Sequence, residues 1–183
     1  MLPAMGVMLG YVTTVELDYT TLDLPPNRDN WLAWVKAMQA CSKPGVLVIK
    51  DAGPLPRRAA LWGDMMGWAA KELGLIGVVS DGLVRDLPRL QEMGMHLFAA
   101  GLTASHGNPR VLRVNVPVDI GGVRIAPGDL LHGDADGLVT VPLEHAAQVA
   151  AIAAEISAHE AAVIRYTRSA EFTVEGLFRM RFG

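Results

Sequence analysis

Apolar and polar positions along this chain follow two periods, and their changes predict its elements. From Val7 to Leu17 the residues are rich in β-branched and aromatic types, which reads as a buried strand. The turn-prone DLPPNRDN stretch follows, and Asp29 or Asn30 can cap a helix in which Trp31, Leu32, Trp34, Val35 and Met38 share one face. Pro44-Gly45 stops that helix, and GVLVIKDAG is then an unbroken apolar run ending in a polar turn, the pattern of a strand covered on both faces. A second amphipathic helix spans Gly63 to Leu73, with Met66, Ala69, Ala70 and Leu73 on its apolar side and Gly74 ending it.

Ile76 to Val79 predicts another short buried strand, running into SDGLVRD, where Asp81-Gly82 marks a turn and Arg85-Asp86 leads into a short helix. HLFAAGL and RVLRVNVPV follow. In GGVRIAPGDLLHGDADGLVTVP the pairs Gly121-Gly122, Pro127-Gly128 and Asp136-Gly137 fall at turn spacing and predict a meander of short strands. A long Ala-rich helix is expected from about Leu143 to Tyr166, with residues after Ser169 as a loosely docked tail. The βα alternation with added hairpins predicts one α/β domain.

Length agrees with one domain, because 183 residues bury roughly 70% of their unfolded surface as a single unit. A net charge of -3 with scattered Lys and Arg gives no basic stripe, so nucleic acid is not an expected partner. The apolar opening stretch meets acidic residues before a span of ~20 apolar residues is complete, so no membrane partner is expected either. The one cysteine, Cys41, excludes an internal disulfide and a multi-thiolate zinc site and suits a cytoplasmic location. A mean hydropathy of +0.27 points to apolar surface covered in a homo-oligomer.

Chemistry concentrates in Asp64, at the mouth of one helix, and in Arg85 and Asp86, just past the next strand. Asp86 is a hard oxygen donor suited to Mg²⁺ or Mn²⁺, and the planar Arg85 fork suits a carboxylate. The Gly63-Asp64-Met65-Met66 turn opens a helix, where backbone N–H groups attract an anion. Taken alone, an Arg-Asp pair after a strand is more often a surface ion pair, and an Asp in a first turn more often a dipole partner. Asp134 and Asp136 read as hairpin turn residues, His96 and His132 as structural histidines, and the tryptophans as core or interface anchors.

The stretch GDMMGWAAKELGLIGVVSDGLVRD resembles the signature of the family uniting 4-hydroxy-4-methyl-2-oxoglutarate aldolases, oxaloacetate decarboxylases and the regulator of ribonuclease E activity A: an Asp, twenty residues, then Arg-Asp. The resemblance continues through GVLVIKDAG, HLFAAGL and VPVDIGGVRIAPGDLLHGDADGLVTVP, covering most of residues 6 to 150. It implies a layered ββα fold like that of swivelling phosphohistidine domains, with a central mixed sheet and a core over about 6–168. It also implies a trimer or pair of trimers, and an N-terminal segment in relatives before GYVTTVEL.

For the site, the resemblance implies that Asp86 ligates a divalent metal, Mg²⁺ or Mn²⁺, and that Asp64 contacts it directly or through water. Arg85 would hold a 2-oxo acid substrate, pyruvate or oxaloacetate, whose carboxylate would meet the amides of the Gly63, Asp64, Met65 and Met66 turn. The implied activity is carbon-carbon cleavage through a stabilised pyruvate enolate, the alternative being a non-catalytic regulator acting by protein binding. Retro-aldol cleavage also needs a base, left open between a metal-bound water and a carboxylate from elsewhere, a neighbouring subunit included. Arg89 stands where the family often has an acid, with Glu92 as a candidate substitute. TASHGNPR, containing His106, resembles the phosphohistidine segment of swivelling domains only faintly, which leaves phosphotransfer as a third option.

Overall fold

The structure, a computed structural model, describes residues 5–19, 24–25 and 27–183. Parts of the opening stretch and of the predicted 23–30 loop therefore lie outside the described residues. Two compact units are present, Met1–Val141 and Pro142–Gly183. Where one domain with a core through about 168 was expected, the units part between Val141 and Pro142.

In the first unit, β1 (Met8–Asp18), α1 (Arg28–Ala40), β2 (Gly45–Asp51), β3 (Ala60–Trp62), α2 (Asp64–Glu72) and β4 (Leu75–Ser80) follow one another. Then come β5 (Leu83–Val84), α3 (Leu87–Glu92), β6 (His96–Phe98), β7 (Gly101–Leu102), β8 (Arg110–Val114), β9 (Val118–Ile120), β10 (Val123–Ile125), β11 (Leu130–Gly133) and β12 (Leu138–Val141). The central mixed sheet runs β12-β11-β1-β2-β4-β6, with β1, β2, β4 and β6 parallel. One edge of β1 pairs β2, while the other is shared between β11 along Met8–Tyr11 and β8 along Val15–Asp18, both antiparallel. A three-stranded parallel sheet, β3-β5-β7, and the β9-β10 hairpin complete the unit.

The unbroken apolar runs follow from burial on both sheet faces. Successive β2 residues point to opposite sides, so Leu47 and Ile49 join a cluster with Trp34, Met38, Ala70 and Leu90 from the helices. Val46 and Val48 join the opposite cluster, with Val118, Ile120 and Ile125 from the hairpin segment. α1 is capped not by Asp29 or Asn30 but by Asn27, whose side chain accepts from Asn30 N. Its predicted face is rotated: Trp34, Ala37 and Met38 are buried, while Trp31 and Leu32 are exposed.

The second unit opens with a 3-10 turn, Leu143–His145, continues as α4 (Ala146–Thr167) and ends in α5 (Val174–Phe182). The segment expected as a loose tail thus carries a capped helix. Thr173 Oγ1 accepts from Gly176 N at 3.0 Å and lies 3.1 Å from the Tyr166 hydroxyl. A β-carbon on Gly176 would fall 1.8 Å from that hydroxyl, so only glycine closes the α4-α5 corner. Leu143–Thr167 is long and apolar enough to cross a membrane by length and composition alone, and Val149, Ile152 and Ile156 are exposed along it.

Candidate active site

Three short strands assemble the site by fixing the turns at their ends. β3 delivers Trp62 into Gly63 and α2, β5 delivers Val84 into Arg85 and Asp86, and β7 delivers Leu102 into the loop beginning at Thr103. Backbone bonds continue the pairing past the strand ends: Arg85 N donates to Trp62 O at 2.9 Å, and Thr103 N to Val84 O at 3.0 Å. The Arg-Asp pair is therefore anchored on both sides, unlike a surface ion pair at a free loop.

Gly63 carries Arg85 and Asp86 over its bare α-carbon. A β-carbon there would meet Asp86 Oδ2 at 2.6 Å and Arg85 Nε at 2.9 Å, so the missing side chain is the space those two groups occupy. Asp86 Oδ2 accepts from Asp64 N at 3.1 Å and lies 3.3 Å from Arg85 Nε. Asp86 itself is left-handed, with φ 60° and ψ 33°, a conformation Asp tolerates better than most residues and one that turns the chain sharply into α3. Its side chain stays about one-third exposed, accessible to a ligand from solution.

Two cavities flank Arg85. The more open one, about 780 Å³, is lined by Asp64, Arg85, Asp86, Leu87, Pro88, Leu102, Thr103 and Ala104. The other, about 90 Å³, has mostly apolar walls, including Trp31, Trp34, Trp62, Met65, Met66 and Pro109, with Tyr19, Arg85 and His106 as its ionisable groups. Arg85 is thus the wall the two cavities share. Tyr19 donates its hydroxyl to Leu61 O at 3.1 Å. Burial pushes that phenol up to about 12, against a smaller opposing pull from the Arg85 charge. Trp34 and Trp62 meet edge to face with ring centroids 6.2 Å apart, and neither buried ring N–H has a partner among the described residues.

The predicted residues Gly63, Asp64, Arg85 and Asp86 come together, and Met65 and Met66 line the apolar cavity rather than the acidic one. The amide of Asp64, expected to face a substrate carboxylate, is engaged by Asp86 instead. Its anionic partner is built in, so the α2 amides left for a bound anion are those of Met65 and Met66. Glu92 does not substitute for the missing acid: it pairs with Arg89 at 3.6 Å on the exposed side of α3, and neither residue lines the cavity. Asp134 accepts from Asp136 N at 2.9 Å, an Asx turn between β11 and β12. His106 enters the Arg85 cavity from a loop that sequence spacing did not connect to it.

No group of three or more His, Cys, Asp or Glu residues that could hold a metal is present among the described residues. Asp64 and Asp86 both line the open cavity, with Asp86 Oδ1 left over after Oδ2 is engaged. That donor set fits Mg²⁺ or Mn²⁺, hard cations of which Mg²⁺ commonly keeps several waters and takes one or two protein carboxylates. It does not fit zinc, which prefers three or four nitrogen or sulfur ligands.

Residues 1–140 match the RraA-like family, described as Aldolase/RraA. A protein of Halalkalibacterium halodurans named "Putative 4-hydroxy-4-methyl-2-oxoglutarate aldolase" is 40% identical over 112 residues, 61% of this chain and 52% of that one. The chain spans about half the length of the curated relatives it matches. Among solved structures, an uncharacterized protein from Pseudomonas syringae superposes with a TM-score of 0.73 at 28% identity, covering 96% of this chain and 76% of that one. Streptomyces coelicolor RraAS2, described as an unusual member of the RNase ES inhibitor RraA protein family, gives 0.66 at 29% identity, covering 85% and 75%.

Proposed function

Because this chain belongs to the RraA-like family, we propose that it is a divalent-metal-dependent lyase, cleaving 4-hydroxy-2-oxo acids such as 4-hydroxy-4-methyl-2-oxoglutarate to pyruvate and decarboxylating oxaloacetate. The observation that carries this reading is the clamp over Gly63: Asp86 tied to Asp64 N, with Arg85 alongside in the walls of both cavities. A regulator acting through its outer surface has no use for a guanidinium and two carboxylates gathered around a cavity.

Arg85 grips the acid with its planar fork and orients the scissile bond. Asp64 and Asp86 would hold Mg²⁺ or Mn²⁺, which would supply Lewis-acid stabilisation of the enolate charge. Each preorganised donor aimed at developing charge is worth about 3 kcal/mol, by analogy with oxyanion-hole deletions. Decarboxylation needs nothing further, whereas aldol cleavage needs a base as well.

The test is pyruvate release from each of the two substrates, with Mg²⁺, with Mn²⁺ and with a chelator. Metal-dependent release above the uncatalysed rate is expected for both. Flat traces with both substrates would instead favour the second reading, a protein-binding regulator, which the likeness to Streptomyces coelicolor RraAS2 brings with it. We further propose a trimer or pair of trimers, supported by exposed apolar side chains such as Met65, Trp68 and Leu102; light scattering measures the state.

A further inference from the structure

We propose that His106 is the general base of aldol cleavage, taking the proton from the C4 hydroxyl of a substrate held by Arg85. This assignment rests on the lyase reading above and supplies the group that reading lacks.

Three observations converge on His106. The first is elimination within the two cavities. Asp86 Oδ2 is engaged by Asp64 N and Arg85, the lyase reading assigns both carboxylates to the cation, and a guanidinium does not give up its proton. Tyr19 donates its hydroxyl to Leu61 O and holds its proton to about pH 12, so it is a poor acceptor. Among the described lining residues His106 is the remaining side chain with a nitrogen lone pair that can accept a proton.

The second is direction. Arg85 separates a cavity carrying the acidic pair from a cavity walled by Trp34, Trp62 and Met66. A 2-oxo acid held by Arg85 with its carboxylate end towards the acidic pair would turn C3 and C4 to the side of Arg85 on which His106 lies. Apolar walls suit the C4 methyl, Arg85 is the cation within reach of the C4 carboxylate, and the C4 hydroxyl is left to the one imidazole.

The third is positioning. The loop carrying His106 is pinned on both sides: Thr103 N donates to Val84 O, and Ser105 O accepts from Ala60 N at 3.0 Å. On the other side, a β-carbon on Gly107 would fall 2.4 Å from Tyr19 O and 3.0 Å from the β-carbon of Ala59, so the bare backbone presses against both. His106 is thereby tied to the strands that deliver Trp62 and Arg85. It is also exposed, so a captured proton exchanges with solvent.

In the balanced step, an imidazole nitrogen takes the C4–OH proton and C4 becomes a carbonyl. The C3–C4 bond breaks and its electron pair forms the enolate, with charge on the C2 oxygen. Protonation at C3 then gives pyruvate, so no proton is gained or lost overall.

The test uses the full chain with Mg²⁺ and compares wild type with His106→Ala and His106→Gln on 4-hydroxy-4-methyl-2-oxoglutarate and on oxaloacetate. Both variants should lower the ratio of aldol to decarboxylase kcat by about 10²-fold or more, and added imidazole should restore part of the His106→Ala loss. Decarboxylation reports directly that the variants are folded. An unchanged ratio, or parallel loss of both activities without imidazole rescue, overturns the assignment of His106. If wild type decarboxylates oxaloacetate but leaves the aldol substrate intact, the base is refuted while the metal site stands. If wild type does neither, the lyase reading falls and the base with it.

Discussion

Gly63 and Asp86 fit together as socket and occupant: a β-carbon on the first would stand 2.6 Å from Oδ2 of the second. The backbone at Gly63 is extended, with φ -155°, so alanine is permitted there by its own conformation. The nearest conflicts are with Arg85 and Asp86. Gly63→Ala is therefore expected to change thermal stability by only a few degrees while lowering kcat/KM by about 10²-fold, since small displacements of positioning groups cost that much. Differential scanning calorimetry beside pyruvate-release kinetics checks it, and wild-type kinetics would refute the socket.

Asp86→Asn separates charge from shape. Asparagine tolerates the left-handed conformation as well as aspartate does, and its carbonyl oxygen still accepts from Asp64 N. The fold should persist while Mn²⁺ affinity falls by at least tenfold, read by calorimetric titration. Arg85→Lys makes the complementary change: a point charge replaces a two-pronged grip, and kcat/KM should drop about 10- to 100-fold with Mn²⁺ binding retained.

These three residues were legible because their spacing survives folding almost unaltered: one helix and two strands, the second only two residues long, separate Asp64 from Arg85, and a helix that packs back on its sheet returns the chain to its starting end. β5 and β7 were not legible, because two residues each are too few to show alternation, and they are strands only because Trp62 and Val84 lend backbone partners beyond them. His106 was hidden for the same reason, since its link to Arg85 runs through those strands rather than through sequence. The α1 cap was blurred by three capping residues within four positions, Asn27, Asp29 and Asn30, and geometry selected the first. Glu92 failed because its helix turns it towards Arg89 and solvent.

Asp51 provides a pH signature of stability. Burial raises its pKa foremost, the N–H groups of Arg57 and Gly53 oppose that, and the Asp81 and Asp18 charges raise it further. A carboxyl that holds its proton more tightly when folded stabilises most below its unfolded pKa, near about 3.9. That contribution is lost as pH rises through the folded value. Asp51→Asn keeps an acceptor for Arg57 N, 2.6 Å away in the wild type, and removes the titration. The urea midpoint of the variant should gain on wild type as pH rises from 4 to 7; a difference constant across that range would contradict the assignment.

Trp62 is 2% exposed, yet its ring N–H has no partner among the described residues. Phenylalanine there opens a void but also removes an unpaired buried donor, whose cost is about 1–3 kcal/mol. Trp62→Phe should therefore destabilise by only about 1–2 kcal/mol, against about 3–5 kcal/mol for Trp62→Ala. Denaturant unfolding of the two variants provides the comparison, and equal losses would mean the nitrogen is satisfied.

A partition that belongs to two chambers cannot be rebuilt for one of them alone. Since Arg85 lines both the acidic cavity and the tryptophan-lined one, any change at 85 that reshapes what enters one side also loosens the grip on the other. New substrate preferences can arise in this scaffold only around that guanidinium, at the far walls where Trp31, Met66 and Pro109 stand. The tail of the substrate is free to diversify while its acid end is held constant.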